Sequence, residues 1–317
     1  MKKIIAVLLS VLLTAASASS LADDAYRVGI CQFTQHEALD QASQGFMDGL
    51  SQALGESTVS FDMQNASGDS SICIAIINQF VADEVDLILA NATASLHAAV
   101  ASTGEIPILG TSVTEYGGVL GIEDFNGIVG GNVSGTSDLA PLDKQAEMIP
   151  ELFPEAQTVG LLYCSAEPNS QYQIETVSAC LEELGLTPVL YPFADSNEMH
   201  SVVQQAAEQS EVLYIPTDNT VAANAGIVDN ICQPAGIPVV TGDTGTCRGA
   251  GVAVLGISYY DLGVITANMA AKVLRGEADI STMPIAYAEN VTHHYNPDIC
   301  EALGVNVPAH YTPLPEE

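Results

Sequence analysis

Short, wholly apolar runs alternate with amphipathic stretches along this chain, and small polar residues follow each apolar run. In the first half, these runs are residues 28–30, 87–89 and 108–110. In the second half, they are residues 159–162, 212–215 and 239–240. Apolar runs of this length are typical of strands buried on both faces of a parallel sheet. The pattern therefore predicts one parallel sheet in each half of the chain.

Helical periodicity occupies the intervals between the apolar runs. The predicted helices are residues 38–53, 70–82, 93–102, 143–152, 169–184, 196–209, 221–233 and 262–274. Strands that alternate with helices form βαβ units, whose helices cover the faces of a parallel sheet. The predicted fold class is α/β, with two doubly wound parallel-sheet lobes.

The chain is predicted to cross between the lobes three times. The N-terminal lobe comprises residues 23–135 plus 259–282, and the C-terminal lobe comprises residues 136–258 plus 283–317. A three-segment hinge is stiffer than a single linker and is still able to bend. Ligands of such sheets bind outside the carboxyl ends of the strands. Two crevices of this kind indicate a receptor that closes on a small polar molecule.

Residues 1–22 have the layout of a signal peptide. Lys2 and Lys3 precede an apolar stretch at residues 4–13, and mostly small residues follow as far as Ala22. The apolar stretch is shorter than the about 20 residues that a membrane-spanning helix needs, which argues against an uncleaved anchor. The sequence therefore predicts a periplasmic or extracellular protein.

The remaining chain is strongly acidic. Without the two lysines of the signal it carries 5 basic and 39 acidic residues, a net charge of −34. Such a charge repels phosphate backbones and anionic lipids, so neither nucleic acid nor a membrane surface is an expected partner. The acidic residues are dispersed, which is typical of a solvated surface. We expect a monomer.

Seven cysteines in an exported chain leave disulfide formation open. The pairs that spacing allows are Cys232–Cys247 first, then Cys31–Cys73 and Cys164–Cys180. A reducing habitat would leave all seven as thiols. The sequence has no C-x-x-C motif and no Cys/His cluster, so neither a metal nor another cofactor is expected.

Several stretches, taken together, resemble the TrpX-like substrate-binding proteins of ABC importers. The matching stretches are residues 28–30, 36–40, 44–46, 64–66, 68–69, 80–83, 85–88, Gly110-Thr111-Ser112-Val113-Thr114, residues 169–170, Pro216-Thr217-Asp218-Asn219-Thr220, residues 256–257 and 259–263. The likeness runs in order through nearly all of the chain after the signal. It departs from the family pattern at Cys164, Glu115 and Asp243.

This resemblance implies a periplasmic-binding-protein fold of type I. It also implies a ligand that is an amino acid, particularly an aromatic one such as tryptophan, phenylalanine or tyrosine. The protein would capture the ligand in the cleft by hinge closure and deliver it to a membrane permease.

The carboxylate of an amino acid needs amide and hydroxyl donors, best supplied at the N-terminus of a helix. Thr93 begins a predicted helix, and Ser112 and Thr114 lie in a loop after a predicted strand. These three residues are the predicted carboxylate contacts. Thr93 as a simple helix cap is the alternative, and the two roles are compatible.

The ammonium group needs an acidic partner, because a buried unpaired charge costs several kcal/mol. Asp218 is the first candidate, at the end of a predicted buried strand, and Glu167 and Asp243 are alternatives. Asp218 as only a helix cap is the competing interpretation. The remaining predicted polar contacts are Asn169, Ser170 and Asn219.

The side chain of the ligand needs an apolar or aromatic wall. The chain has no tryptophan, so Phe33, His36 and Tyr163 are the predicted wall residues. His36 as an exposed loop residue is an equal alternative. His293 and His294 have no apparent third ligand, which argues against a metal site there.

No sequence motif points to catalysis. The chain lacks G-x-S-x-G, H-E-x-x-H and a P-loop, and its paired glycines do not form a dinucleotide fingerprint. We therefore expect a binding protein and not an enzyme. A sensory module for a chemoreceptor or kinase, and less favourably a secreted hydrolase, are the alternative functions.

Overall fold

Strands and helices alternate through the first half of the chain in the computed structural model, which describes residues 25–288 and 290–315. They are β1 (Tyr26–Gln32), α1 (Glu37–Leu54), β2 (Val59–Asn65), α2 (Ser70–Ala82), β3 (Leu87–Asn91), α3 (Thr93–Ser102), β4 (Ile108–Val113) and β5 (Val133–Ser137). β3 and β4 are buried along their whole length. Helices cover both faces of these strands, with α2 and α3 on one side and α1 on the other.

The second half of the chain repeats this plan. Its elements are α4 (Leu142–Leu152), β6 (Thr158–Cys164), α5 (Pro168–Glu183), β7 (Thr187–Phe193), α6 (Ser196–Gln209), β8 (Val212–Ile215), α7 (Asn219–Ala222), α8 (Ala225–Ala235), β9 (Val239–Thr241), α9 (Thr244–Ala250) and β10 (Ala253–Gly256). α4 and α5 pack on one face of this second sheet, and α6, α8 and α9 pack on the other.

The last part of the chain adds to both sheets. Its elements are α10 (Tyr259–Leu274), β11 (Ala286–Tyr287), β12 (Thr292–Tyr295), α11 (Pro297–Leu303) and β13 (Thr312–Pro313). The first sheet has the order β11-β5-β4-β3-β1-β2, and the second has the order β13-β12-β10-β9-β8-β6-β7. The pairing of β12 with β10 is antiparallel, whereas the other strand pairs of the two sheets are parallel.

Strand pairing, with the close packing of α10 on α1, shows where the chain passes from one lobe to the other. It does so after β5, between β10 and α10, and between β11 and β12. β5 continues to Ser137 and β11 pairs with β5, so the predicted boundaries at residues 135 and 282 cut into the first sheet. We therefore propose a first lobe of residues 25–137 plus 259–288, with the second lobe formed by the rest of the described chain.

The predicted helix at residues 221–233 is two helices in the structure, α7 and α8. The Asn224 side chain donates a hydrogen bond to the Thr220 carbonyl oxygen at 2.8 Å, and this contact marks the break between them. The short helices α9 and α11 were not predicted, because seven residues are too few to show helical periodicity.

All seven cysteines are free thiols, so none of the three candidate disulfides is present. Within residues 25–288 and 290–315, no helix is long and apolar enough to cross a membrane. The same residues contain no cluster of three or more His, Cys, Asp or Glu side chains suited to a metal ion. The predicted signal peptide, residues 1–22, lies outside the described residues.

Candidate functional site

A cavity of about 540 Å³ opens where the strand ends of both sheets meet. Five of the predicted ligand contacts line it: Phe33, Thr93, Glu167, Asn169 and Asn219. The first two follow strands of the first sheet, and the other three follow strands of the second. The structure therefore brings predicted residues of both lobes to one space, while their contact with a ligand stays a prediction.

The first-lobe side of this cavity contains a helix N-terminus without a side-chain cap. α3 begins at Thr93, and its capping position is Ala92, a residue that has no polar side chain to offer. Ala92 has a φ of +91°, a strained conformation for a residue other than glycine. The first amide groups of α3 are therefore available to an anion.

Glu167 ties the second-lobe helices together. One carboxylate oxygen accepts hydrogen bonds from the Thr220 amide and hydroxyl, at 2.8 and 2.7 Å. The other accepts from the amide and side chain of Asn219 and from the Asn169 side chain. This carboxylate fixes the start of α7 against the start of α5, and its lone pairs are largely used within its own lobe.

Asp218 has a similar structural role. Its Oδ1 accepts from the Val221 amide at 2.9 Å and so caps α7, while its Oδ2 accepts from the Cys164 amide and the Ser170 hydroxyl. Burial, with the nearby charge of Glu167, raises the pKa of Asp218 to about 7. These contacts support the capping interpretation of Asp218, and its binding of an ammonium group stays a prediction. Ser170 is buried and donates to Asp218.

Asp243 caps α9 in the same way, accepting from the Thr246 amide at 2.8 Å and the Thr246 hydroxyl at 2.6 Å. Burial raises the pKa of this carboxyl. His36 precedes α1 and reaches across the cleft, where its Nε2 lies 3.1 Å from Asn219 Oδ1. His36 is therefore a contact between lobes and not the exposed loop residue of the alternative interpretation.

Tyr163, a predicted wall residue, does not line this cavity. Tyr163 lies in β6, where its ring packs against the same core as Val159 and Leu161. Side chains alternate along a strand, so Tyr163 points to the α4 and α5 face with these two residues. This packing does not support a contact between Tyr163 and the ligand, which stays a prediction.

Asp138, which the sequence predictions omitted, does not line this cavity but lies beside the second lobe, within electrostatic range of Asp243. It follows β5 directly and is only 4 % exposed. Its Oδ2 accepts a hydrogen bond from the Tyr259 hydroxyl at 3.0 Å, whereas its Oδ1 has no hydrogen-bond partner in the described structure. Burial raises the pKa of Asp138 to about 6, and the Thr114 side chain beside it acts in the opposite direction. β5 is Val-Ser-Gly-Thr-Ser, which has no apolar run to mark it as a strand, and the predicted lobe boundary cut it in two.

An ion pair also joins the lobes. Arg248 of α9 donates to both carboxylate oxygens of Glu37 in α1, at 3.0 and 3.3 Å. Both side chains are partly exposed to solvent. Together with the contact between His36 and Asn219, this pair holds the lobes close to each other.

A second cavity of similar size, about 530 Å³, lies elsewhere in the second lobe. It is lined by Leu152 at the end of α4, by Val212 at the start of β8 and by Pro238 just before β9. These residues mark the amino ends of the strands. Ligands of doubly wound sheets bind at the opposite edge, so we do not assign this cavity to the ligand.

Comparison with known proteins identifies the family. A family model described as ABC transporter substrate binding protein matches residues 27–316. A tyrosine-binding protein of Clostridioides difficile (strain R20291) is 32% identical over 281 residues, which are 87% of this chain and 80% of that protein.

Two solved structures superpose along almost the whole chain. The ABC domain in complex with L-Trp from Streptococcus pneumonia has a TM-score of 0.86 at 29% identity and covers 91% of this chain and 99% of its own. A ligand-free, open substrate-binding protein with adhesive properties from Clostridium difficile has a TM-score of 0.69 at 34% identity and covers 92% and 100%. The resemblance and the fold class inferred from sequence are confirmed. This chain belongs to the family of ABC transporter substrate-binding proteins, with a periplasmic-binding-protein fold of type I.

Proposed function

We propose that the ligand of this substrate-binding protein is an aromatic amino acid, namely tryptophan, tyrosine or phenylalanine. The observation that carries the proposal is the cavity between the lobes, which combines polar strand ends with an apolar wall. Phe33, Ile74, Val119 and Leu120 form much of that wall. Its volume of about 540 Å³ lies within the range of small-molecule sites and accommodates an aromatic side chain.

Two relatives support this ligand class. One is named for tyrosine, and another was solved with L-Trp. The chain superposes better on that L-Trp complex than on the open, ligand-free relative, at comparable coverage. The contacts between lobes fit the same interpretation, because a ligand that bridges two lobes favours their closed arrangement.

We propose further that the protein is a monomer exported by a cleaved signal and works outside the cytoplasm without catalysing a reaction. It would hand the ligand to an ABC permease in its closed form. Solute-binding proteins are not a class of enzymes, and the binding geometry needs no catalytic group.

Isothermal titration calorimetry on protein freed of bound ligand tests the ligand class. We expect saturable binding of at least one of the three aromatic amino acids, with leucine at least about tenfold weaker because it fills less of the apolar wall. Glucose, which has neither an ammonium nor a carboxylate group, serves as the control ligand. Binding of leucine or glucose as tightly as the best aromatic amino acid would contradict the proposal.

Replacing Glu37 by glutamine is expected to weaken ligand binding about two- to fivefold, because a partly exposed ion pair contributes at most about 1 kcal/mol to closure. The loss should shrink at high ionic strength, where the wild-type pair is screened. The matched control is Glu147→Gln, which removes an exposed pair with Lys144 on α4. Dissociation constants at low and high salt check the prediction. Equal effects of both variants would show that the pair between Glu37 and Arg248 does not stabilise the closed arrangement.

A further inference from the structure

We propose that Asp138 binds the ammonium group of the amino-acid ligand and that the Ser112 hydroxyl donates to its carboxylate. The inference rests on the proposed function and identifies which part of the cleft recognises the zwitterion. It replaces Asp218 as the acidic partner.

Hydrogen bonding separates Asp138 from the other buried acids of the cleft. Both oxygens of Glu167, of Asp218 and of Asp243 accept hydrogen bonds from residues of the second lobe. Oδ1 of Asp138 has no such partner among the described residues, although the side chain is 4 % exposed. A buried carboxylate oxygen left without a donor is costly, so such an oxygen needs a partner from outside the chain, and the ammonium group of a ligand is the partner that we propose here.

Ser112 shows the same signature on the neighbouring strand. Its hydroxyl is buried without a hydrogen-bond partner in the described structure, and the residue is 6 % exposed. Its backbone has a φ of +53°, in the left-handed region that residues other than glycine seldom adopt. Strain of this kind persists where the surrounding structure fixes a side chain in place.

Sheet order places these groups in a row. β4 lies between β3 and β5, so Ser112 lies between Thr93 at the end of β3 and Asp138 at the end of β5. Neighbouring strands are about 4.8 Å apart, which puts Thr93 and Asp138 about 10 Å from each other along the edge.

This spacing suits one amino-acid head group. From its ammonium nitrogen to its carboxylate oxygens an amino acid spans about 3 Å by ordinary bond lengths. A hydrogen bond of about 2.9 Å at each end brings the total to about 9 Å, which is comparable with the backbone spacing between the outer strands. The ammonium group then lies at Asp138, and the carboxylate lies at Ser112 and the uncapped start of α3.

The assignment makes recognition depend on both charges of the ligand. A deaminated analogue keeps the carboxylate contacts and loses Asp138, while a decarboxylated amine does the reverse. The ligand class is therefore zwitterionic α-amino acids, with side-chain preference set separately by the apolar wall.

Asp138→Asn is the direct test, with Asp143→Asn on the exposed start of α4 as the matched control. Calorimetry should show that Asp138→Asn loses about a hundredfold or more in affinity for the aromatic amino acid bound by the wild type. Its affinity for the deaminated propionate analogue should stay as in the wild type. Melting temperatures of both variants establish that they are folded.

A second variant covers the case in which Asp138→Asn does not fold. Ser112→Ala removes only a hydroxyl and should weaken binding of the amino acid and of the deaminated analogue alike, about tenfold, while leaving the decarboxylated amine unaffected. Unchanged binding by Asp138→Asn or by Ser112→Ala would overturn this inference and leave the proposed function standing. A wild-type protein that binds no amino acid would overturn both.

Discussion

Gly263→Val is expected to destabilise the protein by about 3 kcal/mol or more, because the added side chain has no space to occupy. Gly263 lies in α10 where this helix crosses α1. A Cβ atom there would collide with the Ala42 carbonyl oxygen and lie 2.8 Å from the Phe46 amide nitrogen. Both are backbone atoms, so no side-chain rotation relieves the clash. Gly45 makes the reciprocal approach to the Tyr260 carbonyl oxygen.

Gly226→Ala is the matched control. Gly226 also lies in a helix, α8, but an added Cβ atom there meets nothing within 4 Å. Alanine should stabilise this position by about 0.5–1 kcal/mol, since glycine has the larger conformational entropy in the unfolded chain.

Urea denaturation followed by circular dichroism measures both variants. Because α10 is the segment that returns from the second lobe to the first, Gly263→Val should also loosen the hinge and reduce ligand affinity. Similar midpoints for the wild type and Gly263→Val would show that α1 and α10 can separate without cost.

The sequence carried enough information to predict the interior of both sheets. β3, β4 and β8 are buried along their whole length because helices cover both of their faces, and each of them begins with an apolar run that the sequence shows. β2 and β7 lie at sheet edges and are partly exposed, so their mixed composition gave no clear strand signal. Edge strands are harder to recognise for this physical reason.

The candidate site shows a different limit. The sequence predicted that the site lies at the carboxyl ends of the strands, and residues such as Thr93 and Asn219 do line one cavity there. Sequence does not show which donors a carboxylate has already engaged. Asp218 follows a buried strand as expected, yet three donors of its own lobe hold it. Asp138 was missed, although it is the buried acid among the described residues whose Oδ1 accepts no hydrogen bond.

The ligand-free protein is expected to be more stable at about pH 5 than at about pH 8. Burial raises the pKa of Asp138 to about 6 and that of Asp218 to about 7, above the ordinary carboxyl value near 4. A raised pKa in the folded state gives stability that is complete below the unfolded pKa and is lost as pH rises through the folded pKa. Between about pH 5 and about pH 8 the shift at Asp138 alone accounts for a loss of about 1.4 kcal/mol, because part of its effect is already lost below pH 5. Thermal melts should show a higher melting temperature at about pH 5 than at about pH 8. The difference between these two melting temperatures should be smaller for Asp138→Asn than for the wild type.

Several groups around Asp138 influence the pKa of its carboxyl group. Tyr259 of α10 donates to it, and Thr114 lies beside it after β4. The charge of Asp243, which follows β9, raises the pKa of Asp138 further, and the phenol of Tyr116 lies within electrostatic range. No cation is among these influences on its pKa, so burial determines the direction of the shift.

Ligand affinity should change with pH in the opposite direction to stability. An ammonium group binds the ionised form of Asp138, so protonation of that carboxyl below about pH 6 competes with the ligand. Affinity for the amino acid should then fall by up to about tenfold for each pH unit. Ser112→Ala should bind the amino acid more weakly but show the same change of affinity with pH, because Asp138 is still present. The affinity of the wild type for the deaminated analogue should not fall at low pH. Calorimetry from about pH 5 to about pH 8 measures these slopes. An amino-acid affinity that stays constant across that range, or that rises as the pH falls, would place the ammonium group on a different partner.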